Sequence, residues 1–279
     1  MLKLELGTSQ MKTGATALGG RTLVSLLEKT TEENTMNSAA YELAEASVEL
    51  EKAEKAARDV VDTLTTESTS WVVAGAATKG QGPRQSLLVA SWDTLGWVFY
   101  REGKFAEAEN YVRATWNNDQ DPESALHLGE IEEKLNNQAE AMRLYEMALA
   151  GVPPEAATKI PSIKNQKQKL VDRIAALKKQ GIASQAATSN LAVQKLRTIR
   201  LGAWKGKNAL TEYAFTIEKD KPGDLQESDP GAVLIVGANA MIRRVVFDHW
   251  IPTGSQAKLV RKGTLNCHTG VCELVVHPM

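Results

Sequence analysis

Long apolar runs are missing from this chain of 279 residues, so no stretch of it reaches the roughly 18 consecutive apolar side chains that a bilayer-spanning helix needs. Cysteine is almost absent. Only Cys267 and Cys272 occur, too few for a framework of bridges to replace a hydrophobic core and too few to diagnose a redox compartment. Neither sign of charge prevails: 33 basic against 34 acidic residues leave a net charge of −1, so no global field points to nucleic acid or to an anionic membrane. Gly-rich phosphate loops and the H-E-x-x-H pattern are also missing, and His127 and His249 stand singly, as structural histidines do. The opening MLKLELGTSQMKTG has no apolar h-region because Glu5 and the polar residues after it interrupt one, so the chain as written carries no export signal.

What is there is a composition ordinary for a soluble protein, with 43% hydrophobic and 24% charged residues. The length suffices for one large core or for two modules. Basic residues gather locally in Lys159 to Lys179 and in Arg197 to Lys207, where a solvated helix face is the simplest reading.

The most informative stretch is Trp92 to Trp116, WDTLGWVFYREGKFAEAENYVRATW. Trp92, Leu95 and Gly96 fall on one helical face, Gly103 stops that helix, and Phe105, Ala108 and Val112 form the apolar stripe of a second. Small residues at Gly96 and Ala108 mark where the two helices must approach closely. This block resembles a tetratricopeptide repeat, whose pattern runs W-x-x-L-G-x-x-Y, then Gly, Ala, an aromatic and Pro. Thr115 departs from it, and Asp121-Pro122 displaces its closing proline. Such a hairpin of helices cannot bury its apolar face alone and therefore predicts neighbours. Leu128 and Gly129 follow Leu95 and Gly96 by 33 residues, and Ala141, Tyr145, Ala148 and Pro153 fill the second-helix slots.

Upstream, residues 1–33 read as a degenerate repeat with Gly14 in the stop position, and the lack of a cap before it is read as the mark of a fragment. The next unit keeps the frame at Ala40, Leu50, Ala53, Ala57 and Val60. Residues 65–88, rich in Thr, Ser and Gly, are expected to form an inserted loop most flexible at Gly80-Gln81-Gly82-Pro83. After Pro153-Pro154, a basic helix over Ser162 to Lys179 carries Ile163, Leu170, Ile174 and Leu177 on its apolar stripe and turns its lysines outward, as a cap on the last repeat does. A second helix is expected over Ser184 to Arg197. Beyond Ala209 the period becomes two: strands are expected at Tyr213 to Ile217, Val233 to Val236, Ile242 to Phe247, Lys258 to Leu265 and Val271 to His277, with a polar loop over Lys219 to Pro230. The domain reading is thus a mainly α chain: a repeat solenoid over 1–155, capping helices over 156–200, a linker over 201–208 and a small β-rich domain over 209–279.

Tyr41 to Ala44, Trp92 to Val98, Leu128 to Lys134 and Leu259 to Leu274 together resemble the C-terminal part of a group of bacterial tetratricopeptide proteins, many of which carry a transglutaminase-like domain upstream. The resemblance implies an extracytoplasmic setting and an interaction role. It also implies an alternative, that the chain is the regulatory or substrate-presenting tail of an upstream transglutaminase- or protease-like enzyme.

In repeats of this class the first helix of each unit lines the concave surface. The expected partner contacts are therefore Asp93, Trp97, Tyr100 and Arg101, then Leu126, Glu130, Glu133 and Lys134, and in the preceding unit Ser38, Glu42 and Glu45. Trp, Tyr and Arg dominate binding energy when clustered. The blander reading has Trp97 packing on the inserted loop. Cys267 and Cys272 can face each other across a hairpin and close a disulfide if the chain is exported; if not, they remain thiols. A zinc site from these cysteines with His268 and His277 is disfavoured, because neighbours along a strand point to opposite faces. The expected function is a non-catalytic scaffold for a peptide or protein segment, without cofactor or metal, with the β module docked on the end of the solenoid or holding a second partner.

Overall fold

The computed structural model describes residues 2–73, 80–152, 160–184, 195–228, 235, 237–268 and 270–279. Among them the chain forms eight helices in four antiparallel pairs: α1 (Leu2–Lys12) with α2 (Thr16–Leu27), α3 (Glu33–Glu45) with α4 (Leu50–Ser68), α5 (Gln81–Arg101) with α6 (Phe105–Asn118), and α7 (Pro122–Lys134) with α8 (Gln138–Gly151). Each pair touches the next, and the odd helices α1, α3, α5 and α7 also touch in succession, which makes the array a helical repeat with one face built from odd helices.

One local device closes every pair. The first helix ends in a residue with positive φ, Gly14 (88°), Ser47 (52°), Gly103 (82°) or Asn136 (64°). The amide of the following residue then reaches back five residues, from Ala15 to the Gln10 carbonyl, Val48 to Leu43, Lys104 to Phe99 and Asn137 to Glu132, at 2.8 to 3.1 Å. This left-handed C-cap satisfies orphan carbonyls and turns the chain into the second helix within a few residues. The tight turn then forces a close approach. A Cβ on Gly96 would lie 3.1 Å from the Ala108 carbonyl and 2.5 Å from Val112, and one on Gly129 would lie 2.2 Å from the Tyr145 ring. Helix starts are equally explicit: Asp121 accepts from the Glu123 amide at 2.7 Å with Pro122 in the first turn of α7, and Glu32 accepts from the amides of Asn34 and Thr35.

The loop expected over 65–88 is shorter than its composition implies. Helix α4 continues to Ser68 because Thr63, Thr66 and Ser68 spend their hydroxyls on carbonyls of their own helix. Gln81-Gly82-Pro83 open α5, where a first-turn proline lacks nothing the helix uses.

Helix α9 (Pro161–Lys179) packs on α8 and buries Leu170, Ile174 and Leu177, roughly 1.5–3 kcal/mol for each side chain, until Gly181 (φ 85°) ends it. Only the end of the helix expected over Ser184 to Arg197 lies within the described residues.

The C-terminal part is a five-stranded antiparallel sheet of β1 (Thr198–Gly202), β2 (Ala209–Glu218), β3 (Lys221–Glu227), β4 (Lys258–His268) and β5 (Val271–Val276) in the order β1-β5-β4-β2-β3. Tyr213, Phe215 and Ile217 share its buried face with Leu259, Leu265 and Leu274. Three sequence expectations need correction here. The linker over 201–208 begins inside β1, an edge strand whose short Thr-Ile-Arg-Leu alternation is easily taken for the tail of a helix. The polar loop over Lys219 to Pro230 contains β3, polar because an edge strand is half solvated; Lys219 and Asp220, with φ of 49° and 61°, make the two-residue hairpin turn before it. Ile242 to Phe247 is not a strand: helix α10 (Ala238–Ile242) runs into turns, and the alternating burial of Val245, Val246 and Phe247 only imitates a strand. The strand expected at Val233 to Val236 lies outside the described residues except for buried Ile235.

The sheet does not dock on the end of the solenoid, which α9 occupies. It lies against α4, α5 and α6. The Gln85 amide joins the ladder, donating to the Val260 carbonyl at 2.9 Å and accepting from the Val260 amide at 2.6 Å, and the Ser68 hydroxyl accepts from the Lys258 amide at 2.9 Å. Asn118 donates to the Trp250 carbonyl at 2.6 Å, and Thr253 donates to Asn110 at 2.8 Å. Buried Arg261 donates to Asn118 Oδ1 at 3.1 Å and to the His277 carbonyl at 2.6 Å; burial, with Arg197 nearby, brings its pKa down to about 10. These bonds fix backbone to side chain, so helices and sheet share one continuous core.

The close approach of paired helices yields a test. Gly129→Ala is expected to cost about 1–3 kcal/mol in urea-induced unfolding, since Tyr145 is fully buried and cannot yield. A loss below a few tenths would mean that the pair is looser than described.

Candidate functional site

The odd helices enclose an open groove of about 660 Å³. Met11 and Lys12 of α1 form one wall; Tyr41, Glu42 and Glu45 of α3, Trp97 and Arg101 of α5, and Glu123, Leu126, His127 and Glu130 of α7 form its floor and sides; Asn165, Gln166 and Lys169 of α9 close the far wall. No residue of the sheet lines it. Tyr41 spans the curvature, donating from its hydroxyl to Glu123 at 2.6 Å across α5. Burial and the carboxylates of Glu123, Glu45 and Asp93 push the phenol well above its usual range, so it stays a donor.

The floor is an aromatic stack. Trp97 lies face to face with His127 at 4.0 Å and with Tyr100 at 4.6 Å, and its Nε1 donates to Glu45 at 2.7 Å. Arg101 lies 5.7 Å from the Trp97 ring and is held by Ser47 and the Glu45 carbonyl. Trp97 is 3% exposed, so it shapes the groove as rigid floor, and neither the fully outward position nor packing on the inserted loop describes it. Beneath the stack, His127 Nδ1 meets Asp93 Oδ2 at 2.8 Å. Burial opposes charge on this imidazole, but the Asp93 carboxylate, with Glu123 and Glu45, more than offsets it and raises its pKa above the ordinary value.

A second recess of about 340 Å³ continues the groove past Tyr41, Glu42 and Glu123, and Ser38 and Asp93 line it. Of the contacts expected from the sequence, Glu42, Glu45, Trp97, Arg101, Leu126 and Glu130 thus meet in the groove, and Ser38 and Asp93 in its extension. Tyr100 only backs Trp97. Glu133 accepts from the Tyr145 hydroxyl at 2.6 Å and Lys134 is exposed, so these three do not reach the groove. One turn of helix separates Glu130 from Glu133 and Lys134, and the facing helix α9 covers that side: Arg173 lies 3.0 Å from Glu130 and 3.7 Å from Glu133. Sequence reasoning passed over Tyr41, Glu123 and His127, whose roles depend on the curvature between α3 and α7. Lys169 of α9 is exposed, as expected, and its exposed side borders the groove.

Cys267 and Cys272 stand opposite each other in the β4–β5 ladder and are joined by a disulfide, their Cα atoms 4.0 Å apart. Among the described residues no group of three or more His, Cys, Asp or Glu side chains could hold a metal ion, and no helix is long and apolar enough to cross a membrane.

Over 38 residues the chain is 50% identical to a TPR repeat-containing protein of Pseudomonas aeruginosa; the matched stretch is 14% of this chain and 6% of that relative. No protein-family profile matches the chain, and no solved structure is similar to it at a significant level. The chain is thus similar over one short stretch to a TPR repeat-containing protein, and its paired-helix array is of the repeat kind.

The His127–Asp93 pair is open to titration. Because the folded-state pKa is raised, protonated His127 contributes stability that is fully present below the unfolded value of 6.5 and is lost as pH rises through the folded value. An NMR titration is expected to place His127 above that value in the native chain and to lower its midpoint in Asp93→Asn, where only Glu123 and Glu45 still oppose burial. An unchanged midpoint in the variant would contradict the assignment.

Proposed function

We propose that this chain is a non-catalytic interaction scaffold that binds an extended peptide or protein segment in the groove of its odd helices. The observation that carries this reading is the groove itself, which draws side chains from all five odd helices and is left open by the described residues, the sheet being bonded to α4, α5 and α6. A floor of stacked aromatic rings gives rigid contact area at little entropic cost, while Lys12, Arg101, Lys169 and the glutamates of the walls supply orientation. The limited similarity to a repeat protein supports the same class of role. Segments that lie along several repeats gain affinity from many modest contacts, so no single pocket needs to be deep.

The test is a panel of variants read against captured peptides. Arg101→Ala combined with Lys169→Ala is expected to weaken binding about tenfold, the loss of roughly 1.4 kcal/mol. Glu107→Ala, on the exposed side of α6, is expected to change nothing. Trp97→Ala should abolish binding, with circular dichroism reporting how much of the loss is unfolding. Equal binding by the Arg101/Lys169 variant and the parent chain would remove the groove from the account.

A further inference from the structure

The two parts of the groove differ in charge. The recess beyond Tyr41 is lined by the carboxylates of Glu42, Asp93, Asp119, Asp121 and Glu123 and by no lysine or arginine, whereas Arg101 and Lys169 line the larger part of the groove; Lys12 of α1 lies on that larger part too and acts on Glu42 at the boundary. Three hydroxyl donors of the recess are already engaged. Tyr41 donates to Glu123 at 2.6 Å, Ser38 to the Asn34 carbonyl at 2.9 Å, and Thr115 to the Val89 carbonyl at 3.0 Å. What remains is an excess of acceptors. Asn37, on the wall of the recess and 9% exposed, has no partner for its side-chain Oδ1, and neither has the buried Oδ1 of Asp93. A buried acceptor without a donor costs about 1–3 kcal/mol until one arrives.

Building on the groove reading, we infer that this recess receives a lysine or arginine side chain of the bound segment, which makes the partner an extended basic peptide. An ammonium or guanidinium group brings three or five N–H donors and no acceptor, the complement of this wall. A carboxylate or phosphate on the partner meets a wall of carboxylates without a lysine or arginine. Burial and the neighbouring Asp121 hold the Asp119 carboxyl above the usual carboxylate range, against Arg261 behind it, so a cation brought to this wall favours its ionised form. Among the described residues the carboxylates do not converge into a metal-ligand group, which favours an organic cation that reaches the wall from one side. The charge order also gives the segment a direction, with its basic residue beside Ser38 and Asp121 and the chain then running over Trp97 toward Lys169.

An array of random decapeptides probed with the full chain tests this, followed by fluorescence polarisation of the strongest binder. Lysine and arginine are expected to be enriched among captured peptides. The double variant Glu42→Gln, Asp119→Asn, which keeps side-chain shape, is expected to weaken the best of them about tenfold with an unchanged melting temperature. Added salt should weaken the parent chain's binding likewise. Capture of neutral or acidic decapeptides that still depend on Trp97 and Arg101 would overturn the inference and leave the groove standing. Salt-insensitive binding, or full binding by the double variant, would also overturn it. Capture of no decapeptide at all would overturn the inference and the groove reading together.

Discussion

The close approach of two helices, made possible where a side chain is missing, is the constraint on which this molecule depends. Gly96 against Ala108 and Gly129 against Tyr145 leave no room for a methyl group, and the left-handed closures at Gly103 and Asn136 hold each pair at that distance. A pair so formed has a flat apolar flank that it cannot bury alone, so it recruits the next pair. Repetition then makes curvature. Because odd helices pack on odd helices, their outer faces converge, near enough for Tyr41 of α3 to reach Glu123 of α7 over the top of α5.

The two sides of the array meet different fates for the same physical reason. Ser68 of α4 and Gln85 of α5 meet backbone groups of β4 as a missing strand partner would, while Asn110 and Asn118 of α6 bond the backbone of the segment that leads into β4. Among the described residues the odd-helix face meets no strand. Its aromatic floor is nonetheless ordered, since Trp97 is clamped by Tyr100, His127 and Glu45. Preorganisation of this kind lowers the entropic cost of binding, because the floor does not have to be assembled when a segment arrives.

How much of this was legible in the sequence follows from where each signal resides. The pairing of α5 with α6 and of α7 with α8 was readable because tryptophan, glycine and alanine spacings are local consequences of helix geometry. So was the apolar stripe of α9, whose Leu170, Ile174 and Leu177 are buried. Edge strands β1 and β3 were not, since a half-solvated strand carries little hydrophobic alternation, and Val245 to Phe247 showed alternation without being a strand. Spacing along the odd helices also groups Glu42, Glu45, Trp97 and Leu126, which line the groove. It could not find Tyr41–Glu123 or Lys169, because those contacts are set by superhelical curvature and by the angle at which α9 returns. The burial of Trp97 was hidden for a related reason: its partner His127 lies on the next repeat.

The central claim is that the face left free by helix pairing is the recognition surface. A crystal structure of the chain with a captured segment measures this directly. The account predicts the segment lying along the odd helices, from Ser38 past Trp97 to Lys169, with the sheet still bonded to α4, α5 and α6. A segment bound to the even-helix side, or added to the β3 edge of the sheet with the groove empty, would contradict it.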